Sequence, residues 1–158
     1  MTVTVNTYNS SCGGGGGGSL AYGTLITMAD GSSVAVQNLK VGDQMLGYNP
    51  APGQYTVSTV LSIKIVDAPT MLVINTGTGI PLRVDASPTE ILWTKLPDGT
   101  TLWLPVTELN VGDFLFTPSG WVPVISIASI TGGHHIMYDI TATDPYFANN
   151  YLDPALPS

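Results

Sequence analysis

Cysteine is almost missing: Cys12 is the only one in 158 residues. No intrachain disulfide and no cysteine-based metal site can form, although one thiol can still pair between chains. Positive charge is just as scarce. Lys40, Lys64, Arg83 and Lys95 face eleven acidic residues, for a formal net charge of −7. Binding nucleic acid needs clustered Lys and Arg to neutralise phosphate, so that partner class is excluded. Attraction to anionic lipid fails for the same reason. No apolar run reaches the roughly 18 residues that cross a bilayer. The opening Met1-Thr-Val-Thr-Val lacks the charged stretch and apolar core of a signal peptide, so the chain is expected to be cytoplasmic in origin or already processed. Charged residues make up only 9% of the chain but hydrophobic ones 44%, enough to build a core. The length suits one domain, with or without a tail. Low charge with abundant Gly, Ser, Thr and Pro is common on virion and extracellular assemblies, and that localisation is the expectation here.

Residues Thr2 to Tyr8 alternate, with Val3 and Val5 on one face of a strand and Thr on the other. The run Gly13–Gly18 follows and reads as a flexible linker. A short strand on a leash is not stable alone. It either folds back or adds to a sheet edge of a neighbour, burying Val3, Val5 and Tyr8. From Ser19 onward apolar residues alternate or come in short β-branched blocks. Turn signals separate them: Asp30-Gly31, Asn49-Pro50, Pro52-Gly53, Pro97-Asp98-Gly99, Pro118-Ser119-Gly120 and Gly132-Gly133. That punctuation predicts an all-β domain, with single helical turns at Val36–Leu39 and Val106–Leu109. The expected division is an extended strand over 1–12, a linker over 13–18 and a β-domain over 19–158.

The β-domain contains an internal repeat. Leu39-Lys-Val-Gly-Asp-Gln-Met-Leu resembles Leu109-Asn-Val-Gly-Asp-Phe-Leu-Phe, and an Asp-Gly hairpin precedes each copy. A strand pair is expected after each: Val60–Ile63 with Leu72–Ile74, then Val124–Ile127 with Met137–Ile140. The same order of elements twice suggests a pseudo-two-fold domain.

The stretch Ser19-Leu-Ala-Tyr-Gly-Thr, followed by Asp30-Gly31 and Leu39-Lys-Val-Gly-Asp-Gln-Met-Leu, resembles the opening block of the Hint family of hedgehog autoprocessing domains, inteins and bacterial intein-like domains. Met137-Tyr-Asp-Ile and Phe147-Ala-Asn-Asn-Tyr-Leu resemble its closing blocks, so the resemblance spans Ser19 to about Leu152. It implies an all-β horseshoe with internal two-fold symmetry. It also implies self-cleavage, in which the first residue attacks the peptide bond just before it. Here that residue is Ser19 and the bond Gly18–Ser19; a hydroxyl needs an activating base or a strained amide. Asp139 matches the family's Asp in Tyr-Asp-Ile.

The family's helpers are altered. A Thr-x-x-His motif polarises the scissile amide, but Leu82–Trp93 contains no His, and Pro88 or Glu90 stands there depending on register. Proline offers no proton, and an ionised glutamate only accepts. Losing a proton donor costs roughly 10²–10⁴ in rate. A splicing member ends in His-Asn, which Tyr151–Ser158 lacks, so no splicing is implied. The favoured expectation is therefore a catalytically degenerate module of a virion or extracellular filament. It would act as a homo-oligomer or with neighbouring structural subunits through the strand over 1–12. Slow cleavage at Gly18–Ser19 through an ester is the alternative.

Plainer roles stand beside each candidate. Ser19 is also a loop serine after a linker, and Asp139 a carboxylate hydrogen-bonded to nearby backbone. His134 and His135 are neighbours on a strand, point to opposite faces and cannot both grip one metal. Asp43 and Asp113 read as turn caps, and Arg83 with Glu90 as a weak exposed pair. Trp93 and Trp103 pack across the Asp98-Gly99 hairpin or offer a sugar platform. No cofactor or metal is expected.

Overall fold

The computed structural model describes residues 18–155. Among them run thirteen strands and no α-helix: β1 (Gly18–Ala21), β2 (Leu25–Thr27), β3 (Ser33–Ala35), β4 (Gln44–Asn49), β5 (Gln54–Asn75), β6 (Leu82–Asp85), β7 (Ile91–Lys95), β8 (Thr101–Pro105), β9 (Phe114–Thr117), β10 (Gly120–Pro123), β11 (Ser126–Ala142), β12 (Tyr146–Ala148) and β13 (Tyr151–Asp153). Gly18, grouped with the linker by composition, opens β1. The larger sheet runs β11-β1-β6-β5-β4-β12-β2-β3, with β13 added to β12 and β11 also paired to β5. The smaller runs β10-β9-β7-β8.

The repeat is a structural one. In each half an Asp carboxylate closes the hairpin tip: Asp30 accepts from the Ser32 N–H and Asp98 from the Thr100 N–H, both at 2.9 Å. Each hairpin leads into a short 3₁₀ turn, Val36–Asn38 or Val106–Glu108. Next comes the Val-Gly-Asp turn. Asp43 accepts from the Lys40 N–H and Asp113 from the Asn110 N–H, again at 2.9 Å. Gly42 and Gly112 sit at φ of +95° and +99°, where a side chain is strained, and donate to the Val60 and Val124 carbonyls. The capping role expected for both aspartates is thus the observed one.

The expected strand pairs are instead two long continuous strands, β5 and β11, antiparallel to each other across both halves. Gly132-Gly133, which looks like a turn signal, lies opposite Pro69 at a bulge. The register passes from Thr131↔Thr70 to His135↔Ala68, leaving Pro69 outside the ladder, where its missing N–H costs nothing. The two glycines absorb the extra length at positive φ.

Leu20, Ile26, Met45, Ile74, Leu82, Leu92, Leu115 and Ile140 are fully buried and join both halves in one core. At its edge a two-residue turn joins β12 to β13. Asn149 and Asn150 both have positive φ, the geometry of the tightest hairpin connection. The Asn149 side chain accepts from the Leu25 N–H at 2.8 Å and donates to the Pro81 carbonyl at 3.1 Å. Asn149→Ala removes both bonds and strains the turn. It is expected to destabilise the fold by about 2–3 kcal/mol, read from urea unfolding.

Candidate active site

β1 lies between β11 and β6, with Ser19 directly opposite Asp139 and Leu20 opposite Val84. Paired residues share a sheet face, so the Ser19 and Asp139 side chains project to the same side. The next residue across is Lys64 on β5. The Ser19 N–H, the nitrogen of the Gly18–Ser19 bond, donates to Glu90 Oε1 at 2.5 Å. Glu90 is anchored by its own backbone: its N–H closes a turn onto the Ser87 carbonyl at 3.0 Å, and its carbonyl accepts from Val106 at 2.8 Å. The turn Ser87-Pro88-Thr89-Glu90 therefore presents one carboxyl to one peptide nitrogen.

That carboxyl is fully buried. Asp153, brought in by β13, is equally buried, as is Tyr146 on β12. Asp139 Oδ1 and the Tyr146 hydroxyl have no hydrogen-bond partner among the described residues, and Glu90 Oε2 and the Asp153 carboxyl oxygens have none besides each other. Desolvation favours the uncharged form of an acid. Burial first, then the charge of Asp153, holds the Glu90 carboxyl well above its usual range, against the opposing hydrogen bond from Ser19. Burial likewise pushes Asp153 up to about 8, although the Glu90 carboxyl acts to lower it. Asp139 is raised by burial, opposed by Lys64 and reinforced by Asp85. The Tyr146 hydroxyl is raised by burial and by the three carboxyls around it.

Of the two residues left open by register, Pro88 and Glu90, it is Glu90 whose side chain reaches the Ser19 nitrogen. Burial among carboxyls favours its neutral form, and a neutral carboxyl can donate as well as accept. The proposed Arg83–Glu90 pair is absent, because Arg83 is exposed on β6 while Glu90 faces the interior. Sequence reasoning missed Asp153 and Tyr146, and only the tight Asn149-Asn150 turn hinted that the closing strands fold back this far.

The other candidates lie elsewhere. His134 pairs through Nδ1 with Asp67 Oδ2 on the exposed β5–β11 ribbon, and the His135 N–H donates to Asp67 Oδ1 at 3.0 Å. No group of three metal-ligating side chains occurs among the described residues. Trp93 and Trp103 stand opposite each other with centroids 5.2 Å apart, packed across their hairpin. Val3, Val5 and Tyr8, and the whole strand expected over 1–12, lie outside the described residues.

The bacterial intein-like domain from Clostridium thermocellum matches this structure with a TM-score of 0.72 at 22% identity, covering 86% of this chain and 96% of its own. The chain has the intein-like Hint fold. A DnaB intein from Synechocystis sp. PCC 6803 gives 0.71 at 20% identity, covering 87% and 98% of the two chains. The TvoVMA intein gives 0.73 at 18%, covering 88% and 98%. No family model and no curated protein matches the sequence. Within this Hint fold Ser19 stands on the first described strand, and Asp139, Tyr146 and Asp153 on the last three.

Proposed function

We propose that the chain cleaves its own Gly18–Ser19 peptide bond through an ester. Ser19 Oγ attacks the Gly18 carbonyl carbon and gives its proton to Asp139, whose carboxylate burial makes a stronger base than in water. The nitrogen becomes pyramidal and gains a lone pair. Glu90 protonates it, the C–N bond breaks, and Gly18 is left esterified on Ser19 Oγ beside a free amine. Water then releases a fragment ending at Gly18. The observation that carries this reading is the 2.5 Å contact between the scissile nitrogen and a fully buried carboxyl, whose burial favours the acid form. The resemblance at Ser19 and Asp139, and the intein-like fold, agree with it.

Intact-mass measurement over days tests the reading. The full chain is expected to yield a fragment ending at Gly18, faster with hydroxylamine, which intercepts esters. Ser19→Ala yields none. If the full chain gives no such fragment under any condition, the reading fails. A structural role in a virion or extracellular filament is a separate proposal, carried by composition and by the alternating sequence of residues 2–8.

A further inference from the structure

We propose that Asp153 is a positioning residue of this site, forming with Glu90 a buried carboxyl pair that keeps a proton on Glu90 as it faces the Ser19 nitrogen. The inference rests on the cleavage reading and gives a task to a residue that reading leaves idle.

Both side chains have no exposure to solvent, and among the described residues the hydrogen-bond partner of Asp153 is the Glu90 carboxyl alone. An uncompensated buried carboxylate is strongly destabilised unless a cation, a metal or a proton neutralises it. The groups facing the pair are the Ser19 N–H from β1, Tyr146 from β12 and Asp139 from β11. Beside Asp139 lie Lys64 on β5 and Asp85 at the end of β6. Lys64 acts on Asp139, and no described group of three ligands could hold a metal. The proton is the remaining neutraliser.

The arrangement also orients that proton. Oε1 accepts from Ser19, so the acid proton sits on Oε2 in the hydrogen bond with Asp153, and a turn of the carboxyl brings it to the nitrogen. When Glu90 passes its proton to the departing nitrogen, a protonated Asp153 supplies another. The pair falls from two protons to one and never carries two charges.

The test begins with the uncleavable full chain, Ser19→Ala, labelled with ¹³C at the Glu and Asp carboxyls and titrated by NMR. Glu90 and Asp153 are expected to titrate in two shared steps, at least one above pH ~7. Asp153→Asn then lowers the Glu90 midpoint by about one unit or more, because Asp153 is what raises Glu90 beyond burial. In the Ser19 chain, Asp153→Asn moves the alkaline limb of the cleavage profile to lower pH by the same interval. A purely structural role would leave that limb in place. Independent single steps near the ordinary carboxyl value of about 4 overturn the pair without any variant being needed. An unmoved limb overturns the positioning role. A coupled titration with no Gly18 fragment at any pH sinks the cleavage reading instead, so the two failures are distinguishable.

Discussion

Glu90→Gln is expected to slow cleavage at Gly18–Ser19 by about 10²–10⁴-fold, the range measured when a positioned acid or base is removed. Glutamine is nearly the same size, and its carbonyl oxygen can still accept the Ser19 N–H bond now seen at 2.5 Å. What it lacks is a carboxyl proton to give. The variant therefore separates holding the amide from protonating it. Fragment accumulation followed by intact mass at fixed pH reads the rate. A Gln variant that cleaves as fast as the parent would show that Glu90 only orients the bond. The pH profile gives a second view. Burial and the neighbouring Asp153 raise the Glu90 carboxyl well above its normal range, so its acid form is retained to higher pH than an exposed glutamate's and is lost on the alkaline side. The rate should fall on that side.

The second large effect is on stability. Asp153 is fully buried and raised from 3.8 to about 8, chiefly by burial. A carboxyl raised in the folded state contributes stability that is complete below its unfolded value and lost as pH climbs through its folded value. The window therefore runs from about pH 4 to about pH 8, and the protein should be more stable toward its acid end. At about 1.4 kcal/mol per unit, Asp153 alone changes stability by about 5 kcal/mol across that window, with Glu90 adding in the same direction. Asp30 and Asp98 act oppositely. Hydrogen bonds from Ser32 and Thr100 lower them, so their effect falls below pH ~4, outside the window. Urea midpoints at pH ~5 and pH ~8 measure the difference. Asp153→Asn should flatten it and stabilise the protein at the alkaline end, since asparagine needs no proton to be neutral. A parent protein more stable at pH ~8 than at pH ~5 would contradict the buried-acid account.

Much of this molecule was legible in its residues. The doubled Val-Gly-Asp turns announced the two halves because each needs a glycine at positive φ and an aspartate cap, constraints that are local and therefore written locally. Ser19 and Asp139 were visible through the resemblance and proved to be register partners. The long strands were not visible. A proline and a glycine pair signal a hairpin when each is seen alone; only their juxtaposition across two strands makes them a bulge. Glu90 was visible as a residue but not as an acid. Its protonation depends on being sealed from water beside Asp153, 63 positions further on, and that proximity exists only once β13 is packed.

The last of these strands has a consequence for synthesis. A polypeptide still on the ribosome, with residues 151–153 not yet emerged, has its serine and its upstream glutamate but no third wall around the carboxyl. Glu90 would then meet water and ionise like any surface glutamate. Under the proposed cleavage, the cut would wait until translation has passed Asp153, which would protect the nascent chain from severing itself early.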